Sequence, residues 1–183
     1  MNPKNQIKIF IVEDNQLFSM TLKTYIETSF CAPCSANYVN RNIKIFLFET
    51  GETCMEKFKV EKPQVVILDY HLNNRYPDAA DGLKVLDWIK KENNKTNVIM
   101  LTNNDNIDIA IQSFKHGASD YVVKTETQFE KINYSLHNLF NIVDAKNDVR
   151  RYRCFFGLFL FLFALLAGAV VLIQLFFFKS IIK

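Results

Sequence analysis

The residues Val65-Val66-Ile67-Leu68-Asp69 constrain the chain more than any other stretch. Four apolar residues, three of them β-branched, run straight into a carboxylate. A continuous apolar run of this length suits a strand buried on both faces of a parallel sheet. Asp69 then stands at the carboxyl end of that strand, the edge at which open α/β sheets bind their ligands.

The flanking sequence repeats the pattern. Ile7–Val12 reads as a first strand ending in Glu13-Asp14, with Asn15 as a helix N-cap. Phe18, Leu22, Tyr25 and Ile26 follow at helical spacing, and Cys31–Asn42 reads as a loop. Ile43–Phe48 is a second strand, and Thr50-Gly51-Glu52 opens a helix to about Val60. After Asp69, a polar stretch leads to Asp81-Gly82 and a helix with Leu83, Leu86 and Ile89 on one face. Asn97–Thr102 is a fourth strand. Ile107, Ala110, Ile111 and Phe114 mark a helix that Gly117 stops. Asp120–Lys124 is a fifth strand, and Phe129, Ile132, Leu136, Leu139, Phe140 and Val143 mark a fifth helix. Strand and helix alternate five times. That predicts an α/β fold, a five-stranded doubly wound parallel sheet with right-handed crossovers.

Strands one, three, four and five of such a sheet end at one edge. It would carry Glu13 and Asp14, then Asp69, then Thr102, then Lys124. Three carboxylates so close repel one another and raise their own pKa values. Mg²⁺ relieves this, being suited to carboxylates, a carbonyl and waters. Lys124 and Thr102 would hold phosphoryl oxygens, and Asp69 could act as the nucleophile that forms an acyl phosphate.

These segments resemble the receiver domain of two-component response regulators. The resemblance covers residues 5 to about 145 and a flavodoxin-like fold. It rests on Ile11-Val12-Glu13-Asp14, Val66-Ile67-Leu68-Asp69, Asp81-Gly82, Val98–Thr102 and Gly117–Lys124, in the right order. It implies that Asp69 accepts phosphate from a histidine kinase or phosphotransfer protein. Glu13, Asp14, Asp69 and the backbone carbonyl of His71 would hold Mg²⁺. Thr102 and Lys124 would contact the phosphoryl group, and Tyr121 would be an aromatic switch that turns inward as Thr102 moves.

The chain departs from the family in three places. Asp69 to Gly82 is thirteen residues, several more than is common, and the excess falls in Asn73–Ala80 beside the site. Asn103 stands where a small residue usually follows the Thr. Thr125 stands where a cis-Pro usually follows the Lys. A non-proline cis bond costs ~2.5–4 kcal/mol, so this loop is expected to take another path. His71 occupies the position at which Asp-nucleophile phosphatases carry a second Asp. That disfavours an enzyme of that type, so phosphorylation and dephosphorylation are expected to be self-catalysed only.

Cys154–Phe178 is the second dominant feature, 25 residues with Gln174 as the one strongly polar side chain. At ~1.5 Å per residue a helix of this length crosses a ~30 Å hydrocarbon core. Arg150, Arg151 and Arg153 precede it, which favours a cytoplasmic N-terminal side. Charge divides the same way. Residues 1–148 hold 17 basic and 19 acidic side chains, whereas 149–183 hold five basic and no acidic ones. A mildly acidic soluble part carries no nucleic-acid footprint. The domains expected are a receiver over 1–145, a basic juxtamembrane junction over 146–153, a single transmembrane helix over 154–178 and a short tail over 179–183. The fifth helix is expected to run into the span without a hinge. Ala164 and Gly168 offer a small-residue face for a homodimer. No signal peptide is expected at the start, and no output domain is expected behind the receiver.

The expected function is thus a membrane-tethered, stand-alone receiver in the inner membrane, its domain in the cytoplasm, signalling to a partner by conformational change. The alternative is a receiver-fold interaction module or phosphate sink. Cys31 and Cys34 have the spacing of a redox or metal half-site, but no second pair or histidine set completes a zinc site, and they read as loop thiols.

Overall fold

The structure is a computed structural model and describes residues 6–31, 42–72, 75, 77–103, 105–142, 159 and 168. The chain forms two compact units, residues 1–137 and 138–183. In the first, β1 (Ile7–Val12), α1 (Gln16–Cys31), β2 (Ile43–Phe48), α2 (Gly51–Glu61), β3 (Val65–Asp69), α3 (Gly82–Glu92), β4 (Asn97–Thr102), α4 (Ile107–Lys115) and β5 (Asp120–Val123) follow in order. A further helix, α5, covers residues 128–142 and continues into the second unit.

All strand pairs are parallel, in the order β2-β1-β3-β4-β5. The apolar run that predicted a doubly covered strand is fully buried from Val65 to Asp69. Side chains alternate along a strand. On one face Phe10, Val12, Val66, Leu68, Val98 and Met100 pack with Phe58 of α2 and Leu86 and Ile89 of α3. Ile9, Ile11, Val65, Ile67, Ile99 and Leu101 point the other way. Leu22, Ile26, Ile132 and Leu136 are buried as well. The ring of Phe129 stacks on Phe18 and Tyr25, which ties the start of α5 to α1.

Local signals explain the ends of the helices. The Asn15 side chain accepts from the Phe18 N–H at 3.1 Å, and Thr50 and Asp81 cap α2 and α3 in the same way. Gly117 adopts φ +96 after α4, while the N–H groups of Gly117 and Ala118 donate to the carbonyls of Phe114 and Ser113. That is the paired C-terminal closure a left-handed residue permits.

Three expectations need adjustment. Cys31 is the last residue of α1 rather than the first of a loop. Cys34 lies outside the described residues. Lys124 falls just past β5, yet its N–H still donates to the Thr102 carbonyl at 2.7 Å, extending the ladder by one bond. The α4 stripe is turned outward: Ile107 is 73% exposed and Phe114 51%, and the buried residue of α4 is Ser113. Periodicity reports a face but not what lies against it. Among the described residues no helix is long and apolar enough to cross a membrane. The span expected over 154–178 lies outside them except for Phe159 and Gly168, as do the junction 146–153 and the tail 179–183.

Gly82 starts α3 where its backbone crosses β3. A Cβ there would stand 2.3 Å from the Asp69 carbonyl oxygen and 2.6 Å from the Tyr70 Cα. Gly51 faces only the rotatable side chain of Val85. Gly82→Ala is therefore expected to cost about 2–3 kcal/mol in urea denaturation, and Gly51→Ala about 1 kcal/mol.

Candidate functional site

The parallel topology gathers the carboxyl ends of β1, β3, β4 and β5. Glu13 and Asp14 follow β1, Asp69 ends β3, Thr102 ends β4 and Lys124 follows β5. Glu13 and Asp69 are 2% and 1% exposed, and Asp14 is also buried. One ligand oxygen from each of the three lies within 4.8 Å of the others. Lys124 Nζ bridges two of them, 2.7 Å from Glu13 Oε2 and 3.0 Å from Asp69 Oδ2. Its ammonium also lies 4.8 Å from the centre of the Phe18 ring.

Three buried carboxylates against one ammonium leave an excess of negative charge. Burial foremost, and then the neighbouring Asp69, push the Glu13 carboxyl up to about 7, against the opposing pull of Lys124. Asp69 Oδ1 is buried without a hydrogen-bond partner. An orphaned carboxylate oxygen inside an oxygen-only cluster fits a hard divalent cation, and this donor set suits Mg²⁺. Among the described residues these are the His, Cys, Asp or Glu side chains that gather closely enough for a metal. The His71 imidazole is not one of them, and its ring meets Tyr70 edge-on at 4.8 Å.

An open cleft of about 620 Å³ lies over the cluster, lined by Glu13, Asp14, Asp69 and Lys124 and also by Asn15, Phe18, Asn103, Thr125, Glu126 and Gln128. Thr102 is fully buried beside it. Thr102 and Tyr121 hydrogen-bond through their side chains, and burial raises the Tyr121 hydroxyl pKa. The Tyr121 ring packs against the core on the α2–α3 face. All the residues singled out from the sequence thus fall at one edge, as two adjoining groups: the carboxylate–lysine cluster and the Thr102–Tyr121 pair.

Sequence reading missed the cleft's other wall. Phe18 counted only as a helix stripe, although a helix that starts directly after Asp14 must begin at this edge. The long β3–α3 connection also reaches the site. The Arg75 N–H donates to Asp14 Oδ2 at 3.1 Å, and its guanidinium lies 3.5 Å from Glu49. The Ala80 N–H donates to Glu52 at 3.0 Å. Residues 73, 74 and 76 of that loop lie outside the described residues. Every described peptide is trans, including the one before Thr125.

The fold and this edge define a five-stranded parallel α/β module with an acidic cleft at its carboxyl edge, and comparison with known proteins names the family. The model of the response regulator receiver domain matches residues 9–133, so the chain belongs to that family. It is 28% identical over 123 residues to the regulatory protein LuxO of Vibrio cholerae, covering 63% of this chain and 25% of that protein. It is 26% identical over 147 residues to the transcription factor prr1 of Schizosaccharomyces pombe, covering 80% of this chain and 24% of that protein. The chain thus spans about a quarter of the length of these curated relatives. The crystal structure of the signal receiver domain of a LuxO repressor protein from Vibrio parahaemolyticus aligns with TM-score 0.62 and 25% identity, over 79% of this chain and 97% of that one. A CheY-like receiver domain from Methanospirillum hungatei aligns with TM-score 0.58 and 18% identity, over 74% of this chain and 95% of that one, which shows the shared fold. Receiver domains bind Mg²⁺ at an acidic pocket, act in two-component systems and interact with histidine kinases or phosphotransfer proteins.

The Glu13 shift carries a pH dependence. Its folded pKa of about 7 lies above the ordinary 4.5, so the folded protein holds this proton more tightly than the unfolded chain. In metal-free protein, stability should therefore fall as pH rises from about 4.5 through 7. Mg²⁺ should raise the melting temperature more at pH 8 than at pH 5, because only the ionised cluster needs the cation. Thermal melts with and without Mg²⁺ at the two pH values measure this. An equal increment at both would contradict it.

Proposed function

We propose that this chain is a membrane-tethered receiver that accepts a phosphoryl group on Asp69 and passes the change to a partner through its surface. The observation that carries the reading is the meeting of Glu13, Asp14, Asp69 and Lys124 in one cleft, with an Asp69 oxygen left unpartnered. Glu13, Asp14, Asp69 and the His71 carbonyl would hold Mg²⁺. Bound there, the cation would supply positive charge against the phosphoryl oxygens.

The residues of the chain supply the remaining chemistry. A carboxylate oxygen of Asp69 attacks phosphorus. The bond from phosphorus to the donor's histidine nitrogen breaks, and the donor leaves with the electron pair. Lys124 already contacts Asp69 Oδ2 and pairs with a phosphoryl oxygen instead once the acyl phosphate exists. The Thr102 hydroxyl gives up its bond to Tyr121 to reach another of those oxygens. Tyr121 then repacks, and the β4–β5 edge changes shape. Water later cleaves the acyl phosphate and restores the carboxylate.

The tether is the apolar run 154–178 behind Arg150, Arg151 and Arg153. It would hold the domain at the cytoplasmic side of the inner membrane, and pairing through Ala164 and Gly168 would give a homodimer. The outward apolar side chains of α4 favour a second reading, a docking platform whose output does not depend on phosphate. Full partner binding by Asp69→Ala would select it.

Incubation with acetyl phosphate and Mg²⁺ should phosphorylate the wild-type chain, and Asp69→Asn should abolish this. Lys124→Ala should slow the reaction about 10²-fold, the loss typical of removing one preorganised charge partner. Rates by Phos-tag electrophoresis measure all three proteins. Wild-type labelling of Asp69→Asn would overturn the assignment.

A further inference from the structure

The domain is electrically polar along its strands. Its carboxyl edge bears the carboxylates described above, whereas the opposite, amino edge is crowded with lysines. Lys44 is the second residue of β2, Lys57 and Lys62 lie at the end of α2, Lys91 in the last turn of α3, Lys95 in the following turn, and Lys115 ends α4. All six are exposed. Acidic side chains at this edge already have partners. Glu61 pairs with Lys8 at 2.9 Å and Glu92 with Lys59 at 3.6 Å. The positive field is felt locally: a hydrogen bond from Lys8, joined by the charges of Lys8, Lys44 and Lys57, holds the Glu61 carboxyl below its ordinary range. Basic residues complement the C-terminal ends of helices, which accounts for Lys59, Lys91 and Lys115 singly. It does not account for Lys44 on a strand or Lys95 in a turn, nor for the merging of all six on one edge.

Val60, 78% exposed, adds an apolar side chain to the same edge. α5 starts at residue 128, and its Ser135 donates to Asp120, the first residue of β5. In sequence, the arginines of 150–153 and the 25-residue apolar run follow.

We propose that this lysine edge seats on the anionic headgroups of the bilayer that holds residues 154–178, so that the domain stands on the membrane with its phosphate-accepting cleft facing away from it. The inference rests on the membrane reading above. Lysines near an anionic leaflet are drawn to it within a Debye length. Lipid is the partner because the same chain carries a bilayer-length apolar segment.

The test uses the full chain reconstituted into vesicles of phosphatidylcholine alone, or of phosphatidylcholine mixed with phosphatidylglycerol. Acylation of individual lysines by an N-hydroxysuccinimide ester is followed by peptide mass spectrometry. Lys62, Lys91 and Lys95 should react about threefold or more slowly on the anionic vesicles, and Lys84, near the carboxyl edge, at an unchanged rate. Salt at about 1 M, where the Debye length is ~3 Å, should abolish the difference. In the variant Lys62→Gln/Lys91→Gln/Lys95→Gln, the remaining Lys44 and Lys115 should react equally fast on both vesicles. Equal rates for an inserted wild-type chain would overturn the inference and leave the membrane reading standing. A chain that floats with neither vesicle would overturn both. Protection by duplex DNA as strong as that by anionic lipid would reassign the edge to nucleic acid and overturn it as well.

Discussion

Three carboxylates buried at one sheet edge cannot all be ionised beside a single ammonium without cost. This charge imbalance organises the rest of the domain. Lys124 meets part of it, reaching Glu13 and Asp69 at once from just beyond β5. Burial, and then the neighbouring Asp69, push the Glu13 carboxyl up to about 7, so that proton uptake there meets another part. What remains is an Asp69 oxygen with no partner, in a cleft open to solvent. Such a donor set suits a hard divalent cation, and it is the basis for proposing Asp69 as the phosphoryl acceptor.

The scaffold keeps that arrangement in place. A parallel sheet puts the ends of β1, β3, β4 and β5 side by side. Gly82 allows α3 to start against the Asp69 backbone, where any side chain would collide. The hydrogen bond from the Lys124 N–H to the Thr102 carbonyl carries the lysine into position although Thr125 follows it. The Thr102–Tyr121 bond links the cluster to the outer part of the sheet, so a change at Asp69 has a short route to the surface beside α4.

Most of this was legible in the sequence because it is local and periodic. Five apolar runs, each followed by a helical pattern, determine a parallel sheet, and the sheet then brings distant strand ends together. Caps such as Asn15, Thr50 and Asp81 and the stop at Gly117 depend on neighbouring residues only, and they could be read directly. What could not be read depends on packing across the fold. The α4 stripe of Ile107, Ile111 and Phe114 marks the helix but not its surroundings, and these side chains lie at the surface, since spacing carries no information about what covers a helix. Arg75 reaches Asp14 from 61 positions away along the chain. The separation of acidic and basic edges likewise emerges only once the C-terminal ends of successive helices are gathered on one side of the sheet. The net charge of the first 148 residues, nearly balanced, conceals it.

The account turns on a covalent bond to one oxygen of one residue. Borohydride reduction of the phosphorylated chain, followed by peptide mass mapping, tests it most directly, because an acyl phosphate is reduced to an alcohol at the acceptor carboxyl. The account predicts homoserine at position 69, formed only when a phosphodonor and Mg²⁺ are both present. Unmodified Asp69 with the reduced residue at Glu13, Asp14 or elsewhere would contradict it.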